Sequence, residues 1–171
     1  VKDENVIYWD SFTHDGMRVH VAASSHGLCL VTFPNQGLAA LSTFAKRRGN
    51  GACLCQDPEK MKDYVDQVKG YLTGEHTPFT LPLDLQGTPF QLSVWQNLRQ
   101  IPYGRTASYS DIARDIGKPA AVRAVGAAIG RNTVAYVVPC HRVIGKNGAL
   151  TGYRGGLDNK LKLLQMESRN L

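Results

Sequence analysis

From Thr88 onward, proline, glycine and capping residues recur at roughly ten-residue intervals, which limits this half of the chain to short helices joined by tight turns. In TPFQLSVWQNLRQI, Thr88 stands where an N-cap belongs and Pro89 suits the first turn, where its missing N–H is not needed. Gln91 completes a capping box, and Phe90, Val94, Leu98 and Ile101 supply an apolar face. PYG, Pro102 to Gly104, then reverses the chain. In SYSDIARDIG, Ser108 is the cap, Tyr109, Ile112, Ala113 and Ile116 share a face, and Gly117 ends the run. Pro119 is expected to open the next helix, PAAVRAVGAAIG, with Val122, Val125 and Ile129 inward. Two short helices across a glycine turn fit a helix-turn-helix, although a purely structural hairpin has the same pattern. The second helix is rich in small residues: Ala120, Ala121, Ala124, Gly126, Ala127 and Ala128. They are too short to read base edges deep in a major groove but allow close backbone approach to a narrow one. Arg123 is the long cationic exception, able to enter a base stack, hold a phosphate or simply face water.

The first half has a different rhythm. Val6 to Phe12, Met17 to Ser24 and Leu28 to Phe33 are β-rich stretches separated by the turn signals HDG and SHG. Leu38, Leu41 and Ala45 then fall at helical spacing, ending in the basic run KRRG where cations suit the helix dipole. ACLC reads as an edge strand, and Asp57 with Pro58 opens a helix striped by Met61, Tyr64, Val65, Val68 and Leu72. FTLPLDLQG, interrupted by Pro82, reads as a connector.

Charge separates the halves as well. Residues 1–85 carry 8 Lys+Arg against 10 Asp+Glu, a balance of −2, whereas residues 86–171 carry 12 against 4, a balance of +8. A basic globular half suits a polyanion such as nucleic acid, or a small phosphorylated ligand. No apolar run approaches the roughly 18 residues a membrane helix needs, and the charged VKDENV start is not followed by a signal-peptide core. A soluble intracellular protein is expected, in which Cys29, Cys53, Cys55 and Cys140 are thiols rather than a disulfide framework.

VVPCHRVIGKNG places Cys140 beside His141 after a short β-like run, Val134 to Val138, that Pro139 terminates. A cysteine at such a stiff strand exit is an inert buried thiol, a nucleophile, or less readily a metal ligand. C-x-C at Cys53 and Cys55 together with an adjacent Cys–His pair lacks the usual zinc-knuckle spacing, which makes a zinc site the weaker alternative. Adjacent residues of an extended chain point to opposite faces, so a bridging water or sharp turn is needed if His141 is to serve Cys140. Glu167, on a C-terminal helix with Leu157, Leu161 and Leu164 on one side, is placed to orient the imidazole and favour its protonated form. A papain-type hydrolase would need an oxyanion-hole signature that is not apparent.

TPFQLSVWQNLRQIPYGRTASYSDIAR, RAVGAAIGRN and PCHRVIGKNGALTGYRGGLDNKLKLLQME together resemble the O6-alkylguanine-DNA alkyltransferases (methylated-DNA–protein-cysteine methyltransferases) over about the last 85 residues. The first half is compatible with the family's variable N-terminal domain. The resemblance implies an α/β chain: a small N-terminal α/β domain with an RNase H-like antiparallel sheet over residues 1–85, and a mainly helical DNA-binding and alkyl-acceptor domain with a helix-turn-helix over 86–171. It implies single-turnover repair, with no cofactor, on double-stranded DNA containing O6-alkylguanine bound through the minor groove. Cys140 would be the alkyl acceptor, His141 and Glu167 the water-linked relay, and Tyr109 the residue that helps rotate the nucleotide and donates toward guanine N3. Arg123 would fill the vacated space, with Ala124, Gly126, Ala127 and Arg131 along the DNA and Asn132 tying the recognition helix to the active-site turn. The carbonyls of Cys140 and Val143 would accept from the guanine amino group, and Pro139, Tyr153, Arg154, Gly155 and Gly156 would line the alkyl pocket. Arg154 replaces a small hydroxyl residue of some members, Ala135 stands where others have proline, and the Cys/Cys/His/His zinc set of some relatives is missing, so no metal is expected. A cytoplasmic location is expected, at the nucleoid in a bacterium and in the nucleus in a eukaryote. No obligate protein partner is expected.

Overall fold

The computed structural model describes residues 5–171, so residues 1–4 of the VKDENV start lie outside it. The chain divides between Leu85 and Gln86 into two compact units. The first contains strands Val6–His14 (β1), Met17–Ser24 (β2), Gly27–Val31 (β3) and Cys53–Gln56 (β4), with helices Ala39–Arg48 (α1) and Pro58–Leu72 (α2). Asp15 and Gly16, both at positive φ, close β1 onto β2 in a two-residue turn whose twist matches that of the strands. The sheet order is β3-β2-β1-β4. It is mixed rather than antiparallel, because the chain crosses from β3 through α1 to the far edge and lays β4 parallel to β1. Ile7, Ala22, Leu30 and Leu41 pack into one apolar cluster that seats α1, with Trp9 and Phe44 against it. Asp57 caps α2 by accepting from the Lys60 N–H, and Met61, Val68 and Leu72 are its buried apolar side chains.

The connector FTLPLDLQG forms one parallel bridge, Leu28 to Leu83, rather than a strand. Leu28 donates to the Pro82 carbonyl at 2.9 Å, and Asp84 N–H donates back to the Leu28 carbonyl at 2.8 Å. Gly27 has to be glycine here, since a Cβ would sit 2.5 Å from the Pro82 carbonyl oxygen. The Asp84 carboxylate is held by Ser24 and by Arg48, which fixes the connector to the sheet.

The second unit comprises helices Pro89–Leu98 (α3), Tyr109–Asp115 (α4), Val122–Gly130 (α5) and Leu157–Arg169 (α6), and a short parallel pair of strands, Ala107–Ser108 (β5) and Val143–Ile144 (β6). Capping boxes start α3 at Thr88 and Gln91 and α4 at Ser108 and Asp111. Val94, Leu98 and Ile101 are buried as their spacing requires, together with Trp95, whose Nε1–H donates to the Ala128 carbonyl at 2.8 Å and ties α3 to α5. The second helix of the helix-turn-helix starts at Val122, three residues later than its proline predicts. Pro119 instead sits inside a turn closed by the Ala121 N–H and the Lys118 carbonyl, where its fixed φ serves equally well. No helix among the described residues is long and apolar enough to cross a membrane.

Candidate active site

The run Val134 to Val138 is not a strand. It folds into a compact turn with Tyr136 at positive φ, closed by Val137 N–H to the Ala135 carbonyl at 2.8 Å and Val138 N–H to the Val134 carbonyl at 3.2 Å. Such a coil needs outside partners for its backbone groups, and Asn132 supplies them. The Asn132 amide oxygen accepts from Val134 N–H at 2.9 Å, while its NH₂ donates to the carbonyls of Val134 at 3.2 Å and Val138 at 3.1 Å. The same NH₂ reaches the Cys140 sulfur at 3.5 Å. Asn132 is only 1% exposed, so it acts from beneath the α5 surface and not as a DNA-facing side chain.

After Pro139 the chain makes a single 3₁₀ turn, Cys140–Arg142, which removes the opposite-face problem of an extended Cys–His pair. Cys140 is 5% exposed, while His141 and Glu167 are fully buried. His141 Nε2 lies 2.6 Å from Glu167 Oε2. Glu167 also accepts from the Gly104 N–H at 2.9 Å and from Arg142, whose Nε reaches Oε1 at 2.9 Å and whose Nη2 reaches Oε2 at 3.1 Å. Arg142 in turn donates through Nη1 to the Ile101 carbonyl at 2.8 Å.

Burial dominates the resting charge state. It pushes the Cys140 thiol up to about 11, against the opposing pull of the Asn132 amide, the Lys160 ammonium, its own backbone N–H and Arg154. Burial likewise lowers the His141 imidazole, outweighing the Glu167 hydrogen bond and charge that favour the cation, and the charges of Arg142 and Lys160 lower it further. Glu167 favours the protonated imidazole as its position implies, but desolvation outweighs that pull. The site rests as a neutral thiol beside a neutral base.

Lys160 is fully buried and donates to the carbonyls of Val143 and, at 3.1 Å, Thr151. The Val143 N–H closes on the Cys140 carbonyl, so each carbonyl assigned to guanine already accepts from a donor within the protein, and a carbonyl oxygen can accept two. Tyr109, the first residue of α4, is half-buried with its hydroxyl 2.8 Å from Thr151 Oγ1. A Cβ at Gly126 would touch the Tyr109 ring at 3.8 Å, so the glycine brings α5 close to that ring. Arg123, Ala124, Ala127 and Arg131 are exposed along α5 and its end, leaving a nearly bare helix surface with two cations. Pro139, Val143 and Gly155 are buried, Tyr153 and Gly156 half-buried, and Arg154 exposed with Nη1 donating to the Asn132 carbonyl at 3.1 Å. An open cavity of about 290 Å³ lies elsewhere, lined by Ser108, Ser110, Arg114 and Lys146, and does not include the sulfur.

Sequence reasoning gave Arg142, Lys160 and Thr151 no role of their own. A signal for the first two existed: Arg142 follows the Cys–His pair directly, and Lys160 lies seven residues before Glu167, two helical turns along one face. That face, with Leu163 between them, is the buried one, whereas Leu157 and Leu161 are 47% and 42% exposed.

The second unit thus carries a helix-turn-helix and a buried cysteine beside a His–Glu pair, and it follows a mixed-sheet domain in the chain. Residues 17–85 match the profile "6-O-methylguanine DNA methyltransferase, ribonuclease-like domain" and residues 89–169 match "6-O-methylguanine DNA methyltransferase, DNA binding domain". The chain is 49% identical over 163 residues to the inducible methylated-DNA–protein-cysteine methyltransferase of Bacillus subtilis, covering 95% of this chain and 91% of that protein. It is 39% identical to the bifunctional transcriptional activator/DNA repair enzyme Ada of Escherichia coli, spanning 93% of this chain and 49% of Ada. Among solved structures, Mycobacterium tuberculosis OGT in complex with DNA superposes with a TM-score of 0.81 at 39% identity, covering 95% of this chain and 94% of that one. The chain belongs to the O6-alkylguanine-DNA alkyltransferase, or methylated-DNA–protein-cysteine methyltransferase, family. Its buried Cys140 next to the His141–Glu167 pair has the geometry of that family's active site.

Proposed function

We propose that this protein repairs DNA by moving the alkyl group of O6-alkylguanine irreversibly onto Cys140, one lesion per molecule. The observation that carries the reading is the Cys140 sulfur, held at 3.5 Å by the Asn132 amide in the turn that also seats His141 on Glu167. Residues 1–85 are the N-terminal domain, and residues 86–171 both bind DNA and accept the alkyl group.

The exposed face of α5 lies along the minor groove of double-stranded DNA, where Ala124, Gly126 and Ala127 permit close approach and Arg131 meets the backbone. The damaged nucleotide leaves the stack, and Arg123 occupies its place. Rotation costs a few kcal/mol, less for a pair already weakened by the lesion, which favours damaged sites. Tyr109 crowds the backbone at the rotated nucleotide, and the base enters between the Val143 segment and the Tyr153–Gly156 loop. Pro139 and Gly155 complete the pocket wall, and the second lone pairs of the Cys140 and Val143 carbonyls accept from the guanine amino group.

The proton of the neutral thiol passes through a water to His141 Nδ1, and Glu167 stabilises the imidazolium that results. The sulfur lone pair forms the S–C bond as the C–O6 bond breaks, and that electron pair is left on guanine. Tyr109 donates toward N3 as this charge develops, while its oxygen still accepts from Thr151; the imidazolium proton replaces the one it gives. A thioether and an unmodified guanine remain. No residue of the relay can reverse a C–S bond, so the protein does not turn over. Beyond that water the scheme uses this chain's own groups and the substrate, and it calls on no cofactor.

Incubation with a duplex containing O6-methylguanine should raise the mass of the Cys140 peptide by about 14 Da, one methyl for one hydrogen. Cys140→Ala should bind the same duplex and gain nothing. An unchanged mass for the wild-type peptide, or equal methylation of the variant, would remove the proposal.

A further inference from the structure

The strongest unassigned feature of the second unit is the guanidinium of Arg142. It lies against both oxygens of Glu167, with Nε at 2.9 Å from Oε1 and Nη2 at 3.1 Å from Oε2, and is anchored from behind by the Ile101 carbonyl at 2.8 Å. With the Gly104 N–H also on Oε1, Glu167 is surrounded by donors. Such a carboxyl stays ionised, and an ionised carboxylate only accepts. The 2.6 Å contact to His141 therefore requires the proton on Nε2, which leaves Nδ1 with the lone pair. Arg142 has a second effect through its charge. A buried carboxylate alone would draw a second proton onto the imidazole, and a guanidinium in contact with both oxygens opposes that pull, in the same direction as the desolvation of the ring.

Resting on the alkyl-transfer reading, we propose that Arg142 is a positioning residue that sets the relay's protonation state, holding Glu167 ionised and His141 as the neutral Nε2–H tautomer so that Nδ1 can take the thiol proton. Among the described residues of the second unit, the charged and titratable groups around this relay include Cys140 on the same turn, Tyr103 beside the guanidinium, Lys160 on α6 and Arg154 in the preceding loop. Tyr103 lies under Arg142, with the guanidinium 5.6 Å from its ring centroid, and contributes no charge in the neutral range. Lys160 is cationic and works in the same direction as Arg142 on His141, but it is bonded to the Val143 and Thr151 carbonyls rather than to the carboxylate.

The test has two arms. In the first, ¹⁵N-histidine NMR of the wild-type protein near pH 7 should show His141 protonated at Nε2 and bare at Nδ1; the reverse tautomer, or an imidazolium, overturns the proposal. The second follows the rate of methyl transfer to Cys140 against pH for Arg142→Met and Arg142→Lys. Loss of the cation should move the acid limb of the profile up by about one pH unit, a roughly tenfold loss on the acid side, with rates converging above pH 9. Lysine keeps the charge, so R142K should leave the limb within about half a unit of wild type. A uniform loss at every pH in R142M, with an unmoved limb, reduces Arg142 to structural support and overturns the proposal. If R142M does not fold, the wild-type tautomer and the position of the R142K limb still decide. Absence of transfer in the wild-type protein would instead defeat the alkyl-transfer reading, and Arg142 would then be judged by the same NMR in R142M and R142K: His141 should take its second proton at a higher pH in R142M but not in R142K, and an unmoved titration in R142M overturns the proposal.

Discussion

The Cys140 sulfur sits in a setting that keeps it protonated until it is used. A thiol pushed up to about 11 reacts slowly with incidental electrophiles, because only the thiolate is a strong nucleophile. Asn132 is the neighbour that most opposes that shift, and it also satisfies the buried backbone of the turn. Asn132→Ala is expected to lower stability by about 2–3 kcal/mol in urea unfolding, since several buried polar groups lose their partner at once. The folded fraction should react with iodoacetamide at a higher pH than wild type. Arg123 is exposed and makes no contact on which the fold depends, so Arg123→Ala should leave the unfolding midpoint unchanged. It should slow repair of a duplex substrate at least about tenfold while altering reaction with the free modified base by no more than about twofold, as measured by alkyl transfer to each.

At the level of elements, the short helices owe their starts to local chemistry. Thr88 and Gln91 exchange side-chain and backbone hydrogen bonds at the head of α3, and Thr88→Ala should cost about 1 kcal/mol in denaturant unfolding without changing the rate of transfer. Helix α6 obeys a different logic. Its buried residues are Lys160, Leu163 and Glu167, so two of the three are ionisable, and each is bonded to the active-site turn or the loop after it. Hydrophobic periodicity places Leu157, Leu161 and Leu164 on one side of this helix but does not register a polar buried face whose partners lie elsewhere in the chain. Leu161→Lys should therefore be nearly neutral in stability, whereas Lys160→Met should disturb the Val143 and Thr151 carbonyls and slow transfer.

For the whole molecule, stability should be greatest in a window bounded by two kinds of buried group. His141 has a lowered folded value, so the unfolded chain binds the extra proton first, and stability is lost as pH falls below the ordinary histidine value of 6.5. His20, also lowered by burial, adds to the same slope. Cys140 and Cys29 are raised, to about 11 and about 12, so the unfolded chain ionises first and stability is lost as pH rises above 9.0. Urea midpoints measured from pH 5 to 11 should form a plateau between these limits, and Cys29→Ala should make the alkaline side shallower. The balance of +8 on residues 86–171 against −2 on residues 1–85 puts the attraction for a polyanion in the second half. Duplex affinity should consequently fall at least about tenfold between 50 and 200 mM salt, which titration by fluorescence anisotropy would read.

The β1–β2 turn, the caps of α2, α3 and α4, and the edge position of β4 were legible residue by residue, because a cap or a two-residue turn is decided by groups a few positions apart. The PCHR motif with its asparagine, lysine and glutamate spacings was likewise enough to resemble one family. What required the folded chain was everything set by burial and by long-range pairing. Val134 to Val138 has strand-like composition yet coils around Asn132, Pro119 closes a turn instead of opening a helix, and β4 runs parallel because a crossover returns it to the far edge. The neutral His141 belongs to the same class: the pull of Glu167 could be anticipated from residue type, but whether desolvation exceeds that pull depends on how completely the surrounding chain excludes water from the ring.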